Sequence, residues 1–302
     1  MPKENNHLYV ANLALSRLPE GRLKDLIIRH QACFYLGSIT PDLFYYSKKP
    51  EVAEISEYLH GRDGNSTSEI ILSWLEAAKM NRSDEDLAFV MGYLTHYASD
   101  ITFHPVIIFL TGNPYHRDGK KSSRALYQHR LLETCLDREL NGVFFLDELI
   151  RPGVLKQLGA FSLLAERFGV ELAEFSLALE RMIKFNRLFR SVLVFKVLYY
   201  LNKLLPLHLE DRLALFYGMA TKDQIKIPKE VLYRDIVSNQ ETRITRRCLA
   251  DNLLSFIEKL ISTAGAYYFE AVSRDEVAAV ISDRSLITGK SSCPASEIRY
   301  TL

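Results

Sequence analysis

The chain has 302 residues, is 48% hydrophobic and 25% charged, and carries a formal net charge of +1. That is ordinary globular composition with ample material for a core, in one large domain or two smaller ones. The charge balance excludes a global electrostatic pull toward nucleic acid or an anionic surface. Cys33, Cys135, Cys248 and Cys293 lie far apart and form no CxxC, which argues against a disulfide framework and a thiolate zinc site. Residues 1–7 contain no apolar run and no stretch of 18 residues is free of charge. No secretory signal and no transmembrane span are therefore expected, and a reducing cytoplasm is the expected location.

Glycine and proline are sparse and the periodicity is helical almost throughout, so the predicted fold is all-α. A first helix is predicted from His7 through Leu18 and a second from Leu23 to Tyr35. The stretch from Gly37 to Pro50 is expected to be a loop, and His60–Asn65 a turn. Ser66, three residues before Glu69, suggests a capping box for a helix ending near Met80. Ser83 to Asp86 opens the next helix, which Pro105 is expected to kink or loosen. After a polar loop at Thr111–Ser123, a helix is expected to Leu140. Residues 142–170 are broken by glycine and proline. Helices are then predicted near 171–204, 208–219, 229–238 and 246–280, with the last twenty residues frayed.

Seven of the eight histidines fall within the first 129 residues; only His208 lies beyond. Chemistry is therefore assigned to a region 1–145, with 146–302 a helical C-terminal region that supplies packing, lid or partner surface. Within the first region His96, Asp100 and His104 stand at i, i+4 and i+8. Four residues of α-helix turn through about 400°, so these three share one face. His129 and Glu133 repeat the spacing. Imidazole and carboxylate are ligands suited to zinc and its neighbours, and burying them among Phe89, Val90, Tyr93, Leu94 and Tyr97 demands partners. A lone histidine on a helix is more often core or surface than ligand, but several such pairings are harder to dismiss. His30, at a helix end, and His116, in a loop, stand outside the pattern.

These residues resemble the bacterial zinc-dependent phospholipase C family, whose superfamily also holds zinc-dependent single-strand nucleases. Asn6-His7-Leu8-Tyr9-Val10-Ala11-Asn12 resembles its first helix. Gly37-Ser38-Ile39-Thr40-Pro41-Asp42 resembles its turn with a ligand Asp. His60, the His96-x-x-x-Asp100 and His104 helix, and the closing His129-x-x-x-Glu133 follow in order. The resemblance covers about residues 1–140. It implies a multi-helix bundle with a metal cleft, plus additional C-terminal helices. It also implies two or three Zn2+ ions. His60, His96, Asp42 and Asp100 would hold one ion, and His104, His129 and Glu133 a second. His7 and a bridging Asp100 would hold a third. The implied chemistry is phosphodiester hydrolysis with a phosphoester substrate such as a phospholipid, and Asp42 would orient or deprotonate the water. Secreted members begin with a Trp whose terminal amine and carbonyl bind zinc; here no Trp precedes His7, and the only one is Trp74.

Two rival readings remain open. A nuclease would need aromatic platforms, for which Tyr45, Tyr46, Tyr97 and Tyr115 are candidates. A non-catalytic protein would keep zinc for structure and bind a partner or a membrane with its C-terminal helices. Gly289-Lys290-Ser291 lacks the rest of a phosphate loop, since Arg284 stands where a glycine is required. Glu57-x-x-His60 is half of a di-iron signature with no second copy. Residues 184–205 are basic, aromatic and apolar; a core helix with snorkelling Lys and Arg is favoured over an interfacial one. Arg243, Arg246 and Arg247 are expected at a solvated helix end.

Overall fold

A computed structural model describes residues 4–140, 144–205, 207–222 and 224–302. Met1, Pro2, Lys3 and Gly142 lie outside these. In chain order the helices are α1 Glu4–Arg17, α2 Arg22–Arg29, α3 Gln31–Leu43, α4 Pro50–Leu59, α5 Ser68–Asn81, α6 Asp84–Thr111 and α7 Gly119–Leu140. They continue as α8 Leu146–Leu149, α9 Gly159–Phe168, α10 Leu172–Arg190, α11 Val192–Leu204, α12 Glu210–Leu213 and α13 Tyr217–Lys222. A hairpin of β1 Glu230–Arg234 and β2 Glu241–Thr245 then precedes α14 Arg246–Tyr268 and α15 Arg274–Val280. The fold is all-α with one small antiparallel ribbon.

Helix α6 is the axis, buried over most of its length. Its start is set by Ser83, whose hydroxyl accepts from the Asp86 N–H, with Asp84, Glu85 and Asp86 placed favourably in the first turn. Against it lies α3, and the two backbones meet at a pair of glycines. A methyl group on Gly92 would overlap the Phe34 carbonyl, and one on Gly37 would overlap the Phe89 carbonyl. Only residues without a side chain allow helices to approach this closely. The core on either side is continuous. Trp74, Phe89, Phe161 and Phe175 share one cluster with Leu8, Ile257 and Leu286, so regions 1–145 and 146–302 pack around common ground. The Trp74 indole donates to the Ala160 carbonyl at 3.0 Å, which ties α5 to α9.

Several elements differ from the sequence expectation, each for a local reason. The helix predicted over 23–35 breaks at His30, which leaves the helical region at φ −111°, ψ 36°. The loop expected from Gly37 is instead the second half of α3, with Pro41 inside it and the helix ending at Leu43; the close packing on α6 outweighs the glycine and proline. The Ser66 hydroxyl does accept from the Glu69 N–H, but α5 begins at Ser68. The helix predicted over 171–204 is two, interrupted where Ser191 accepts from the Val194 N–H and starts α11. The helix expected near 229–238 is the hairpin, in register Glu230 to Thr245 and Arg234 to Glu241. Its loop is held by the Asp235 carboxylate, which accepts from the Val237 and Ser238 N–H groups. Nor is α11 a core helix, since only Phe195 of it is buried.

The last twenty residues are not frayed. The Leu286 N–H donates to the His60 carbonyl at 2.9 Å, the Ala295 N–H to the Arg62 carbonyl at 2.7 Å and the Leu302 N–H to the Phe109 carbonyl at 2.8 Å. Upstream of these, the Asp283 carboxylate accepts from the Thr67 N–H at 2.9 Å. Gly289, at φ +69°, sits beside Pro105 and the Ile101 carbonyl, the acceptor that Pro105 leaves without its helical donor.

The glycine contact yields the first expectation. Replacing Gly92 with Ala forces backbone against backbone, and unfolding in urea is expected to show a loss of about 3 kcal/mol. Replacing Gly153, beside which a methyl group would meet open space, is the control and should cost little.

Candidate metal centre

The glycine contact brings the backbones of α3 and α6 together, and the site is built from side chains that flank it. Just past Gly37, the Ser38 carbonyl accepts from His96 Nδ1 at 2.9 Å. One turn further, Asp42 reaches the same space. His60, at the end of α4, has Nδ1 2.6 Å from the Ser56 carbonyl. His104 Nδ1 lies 2.8 Å from the Leu286 carbonyl. A carbonyl can only accept, so each of these three rings carries its proton on Nδ1 and turns a bare Nε2 inward.

What those nitrogens meet is carboxylate. Asp100 Oδ2 is 3.0 Å from His96 Nε2 and 3.3 Å from His60 Nε2, while Oδ1 is 3.5 Å from His7 Nε2. Asp42 Oδ1 is 3.4 Å from His60 Nε2, and Oδ2 is 3.8 Å from His7 Nε2. At the other end Glu133 Oε1 lies 2.8 Å from His129 Nε2 and 3.8 Å from His104 Nε2. The rings of His7 and His96 stack at 3.7 Å. All eight side chains singled out in the sequence thus occupy one buried cluster. They fall into three groups whose ligand atoms lie within 4.8 Å of one another: Asp42, His60 and His96; His104, His129 and Glu133; and His7, His96 and Asp100.

Acceptor facing acceptor is unstable unless something positive lies between. Among the described residues, neither oxygen of Asp42 or Asp100 has a hydrogen-bond donor, and Nε2 of His7, His60, His96 and His104 has no partner. Each such group costs about 1–3 kcal/mol when left buried and unsatisfied. This donor set of nitrogen and carboxylate oxygen fits zinc. The protonation preferences agree. Burial pushes His104 down to about 3 and holds His7 and His129 well below the usual imidazole range, so all three are neutral ligands. Burial also opposes charge on His60, but Asp100 and Asp42 outweigh it and push His60 up to about 10, which measures how strongly the two carboxylates favour a positive charge at that position. Burial raises Glu133 to about 7.

A cleft of about 450 Å³ opens on the His60, His104, His129 and Glu133 side, walled by Tyr45, Tyr46, Tyr115 and Arg130. Arg130 is braced by Asp211 at 2.6 Å. Tyr97, considered as a stacking platform, is instead a core residue whose hydroxyl bonds the Ser282 carbonyl. His30 lies near Glu85, 3.6 Å away, and His116 accepts from the Asp118 N–H on the surface; neither joins the cluster. Arg246 and Arg247 pair with Glu139 and Asp251. The sequence reading missed the C-terminal wall. Leu286 orients His104 through a backbone carbonyl, and Ile287 lines the cleft. Carbonyls leave no residue-type signature, so no motif could have found them.

Comparison with known proteins agrees with this geometry. The family described as zinc dependent phospholipase C matches residues 6–155. The chain is also similar to the phosphatidylinositol-glycan-specific phospholipase D of Mus musculus, at 29% identity over 107 residues; the match covers 33% of this chain and 13% of that protein. No solved structure matches the chain significantly.

If the cluster needs a cation, zinc should stabilise the fold. Added at about a hundredfold over its Kd, it is expected to contribute about 2.7 kcal/mol, read as a rise in Tm that a chelator reverses. His96→Ala should lose most of that rise while remaining folded. An unchanged Tm in wild-type protein would count against the metal centre.

Proposed function

Because the chain belongs to the zinc-dependent phospholipase C family through residues 6–155, we propose that it is a zinc-dependent phosphodiesterase that hydrolyses a phospholipid or related phosphoester. The observation that carries this reading is the buried cluster at the foot of a cleft, in which, among the described residues, Asp42 and Asp100 have no hydrogen-bond donor and Nε2 of His7, His60, His96 and His104 has no partner. In this proposal Asp42, His60 and His96, with Asp100, hold one ion, and His104, His129 and Glu133 hold a second. His7 and Asp100 serve a third position. When bound, zinc supplies charge neutralisation at a phosphoryl group and a water acidic enough to react near neutral pH.

The chain's own groups do the rest. Arg130 on the cleft wall presents a guanidinium to a phosphate oxygen, and its pairing with Asp211 keeps it extended. Tyr45, Tyr46 and Tyr115 enclose the portion of substrate beyond the phosphate. Burial opposes the charge on Asp42, but His60 and His96 outweigh it and keep the carboxyl below the carboxylate range. It is therefore available, ionised, to orient or deprotonate water.

The aromatic walls also suit stacked bases, which keeps single-strand nuclease chemistry as the second reading. The name of the mouse relative, a phospholipase D, supports a phosphatidyl lipid as the substrate class but points to a cut on the other side of the phosphorus. Products separate these readings. Zinc-loaded protein incubated with phospholipid vesicles is expected to release diacylglycerol and a phosphorylated head group. Phosphatidate would instead mark a D-type cut, and turnover of single-stranded DNA alone would mark a nuclease. Stoichiometric zinc with no turnover on any of these substrates would leave a structural site. Asp42→Asn, which removes a ligand charge as well as the group proposed to act on water, is expected to lower kcat by about 10²-fold or more, and zinc content measured alongside separates the two losses.

A further inference from the structure

Helix α11 presents an apolar face to solvent. Leu193, Val197, Tyr200, Leu201 and Leu204 stand at i, i+4, i+7, i+8 and i+11, the spacing of one helical stripe. In a globular protein that stripe faces the core. Here Leu193 is 73% exposed and Leu204 80%, and Leu205 extends the patch past the helix end. The opposite face is the one that packs: Phe195 is buried against Phe216, with Val194, Leu198 and Tyr199 beside it. The helix is therefore apolar on both sides, and among the described residues nothing covers one of them. Among the described residues no helix is long and apolar enough to cross a membrane, and thirteen residues of α-helix span only about 20 Å.

Charge identifies what covers this face. From Arg181 to Leu209 the chain has six Lys or Arg and no Asp or Glu, within a protein whose net charge is +1. Arg187 and Arg190 are occupied by Asp147. Lys196 and Lys203, one heptad apart on a margin of the apolar stripe, have no carboxylate partner among the described residues. A second copy of this chain would bring these lysines into a seam that offers them no acid. Anionic phospholipid offers phosphate to the lysines and acyl chain to the leucines, and an in-plane helix with a basic margin has the form that such a surface binds.

We propose that α11 is a membrane-docking helix that lies in the interface of an anionic phospholipid bilayer. Its place in the fold gives the docking a use. Phe195 packs in the same cluster as Leu213, Phe216 and Leu215, and Leu215 lines the cleft. Asp211 of α12 holds Arg130 of α7, the helix that carries His129 and Glu133. The helix thus sits on the lobe that forms one wall of the cleft. The docking does not depend on the proposed hydrolysis, so the two can fail separately.

The test is co-sedimentation of the full chain with phosphatidylcholine vesicles, with and without phosphatidylserine. Wild-type protein is expected to bind the phosphatidylserine vesicles, and less so as salt rises. The L193D/L204D variant should lose at least tenfold in partitioning, and K196E/K203E should lose on the order of tenfold on anionic vesicles. Both variants change exposed positions, so Tm and turnover of a soluble phosphodiester should match wild type. No binding by wild type to anionic vesicles would overturn the proposal, as would equal binding by L193D/L204D. So would sedimentation equilibrium showing a dimer that L193D/L204D dissolves, with no vesicle binding, which would give the face to a second copy.

Discussion

The contact between the backbones of α3 and α6 is the constraint from which the site follows. Gly37 and Gly92 each face a carbonyl of the other helix, so neither tolerates a side chain. Once the helices are this close, the Ser38 carbonyl reaches His96 Nδ1 and Asp42 reaches the imidazoles of His7 and His60. A looser packing would leave the same residues present and the cluster undone. The fold here does not merely carry ligands; it sets their tautomers by spending the Nδ1 protons on main-chain carbonyls.

That arrangement explains why a hydrophobic core accepts so many polar atoms. Three Nδ1 groups are satisfied by Ser38, Ser56 and Leu286, and the remaining acceptors converge. The free energy that would be lost by leaving them bare is the driving force for holding a cation. Folding and metal loading are thus two views of one balance. The tyrosine-walled cleft opens the centre on the His104, His129 and Glu133 side; in the proposed reading, water and substrate would enter there.

Much of this was legible in the sequence, for reasons that can be named. His96, Asp100 and His104 declare themselves because a helix converts a spacing of four into a shared face, and His129 with Glu133 does the same. Asp42 and His60 have no such partner nearby in sequence and emerged only through the order of motifs they share with a known family. Gly37 misled, since glycine beside Pro41 suggests a loop when nothing shows that a second helix will press on it. The stretch 229–238 reads as a short helix because a five-residue strand is too short for its period to show against that of a helix. The C-terminal wall was invisible because it acts through its backbone. Residues 184–205 read as a core helix because their apolar positions spread around much of it; whether such a helix is covered is a question of tertiary neighbours.

The carbonyl of Leu286 has a consequence for the order of events in synthesis. Every side chain of the cluster has been added to the chain once Glu133 is made, yet His104 lacks its orienting partner until Leu286 has followed and emerged. A nascent chain in that interval holds the ligands without the geometry. Premature termination shortly before Leu286 would spare every ligating residue and still leave one imidazole free to turn.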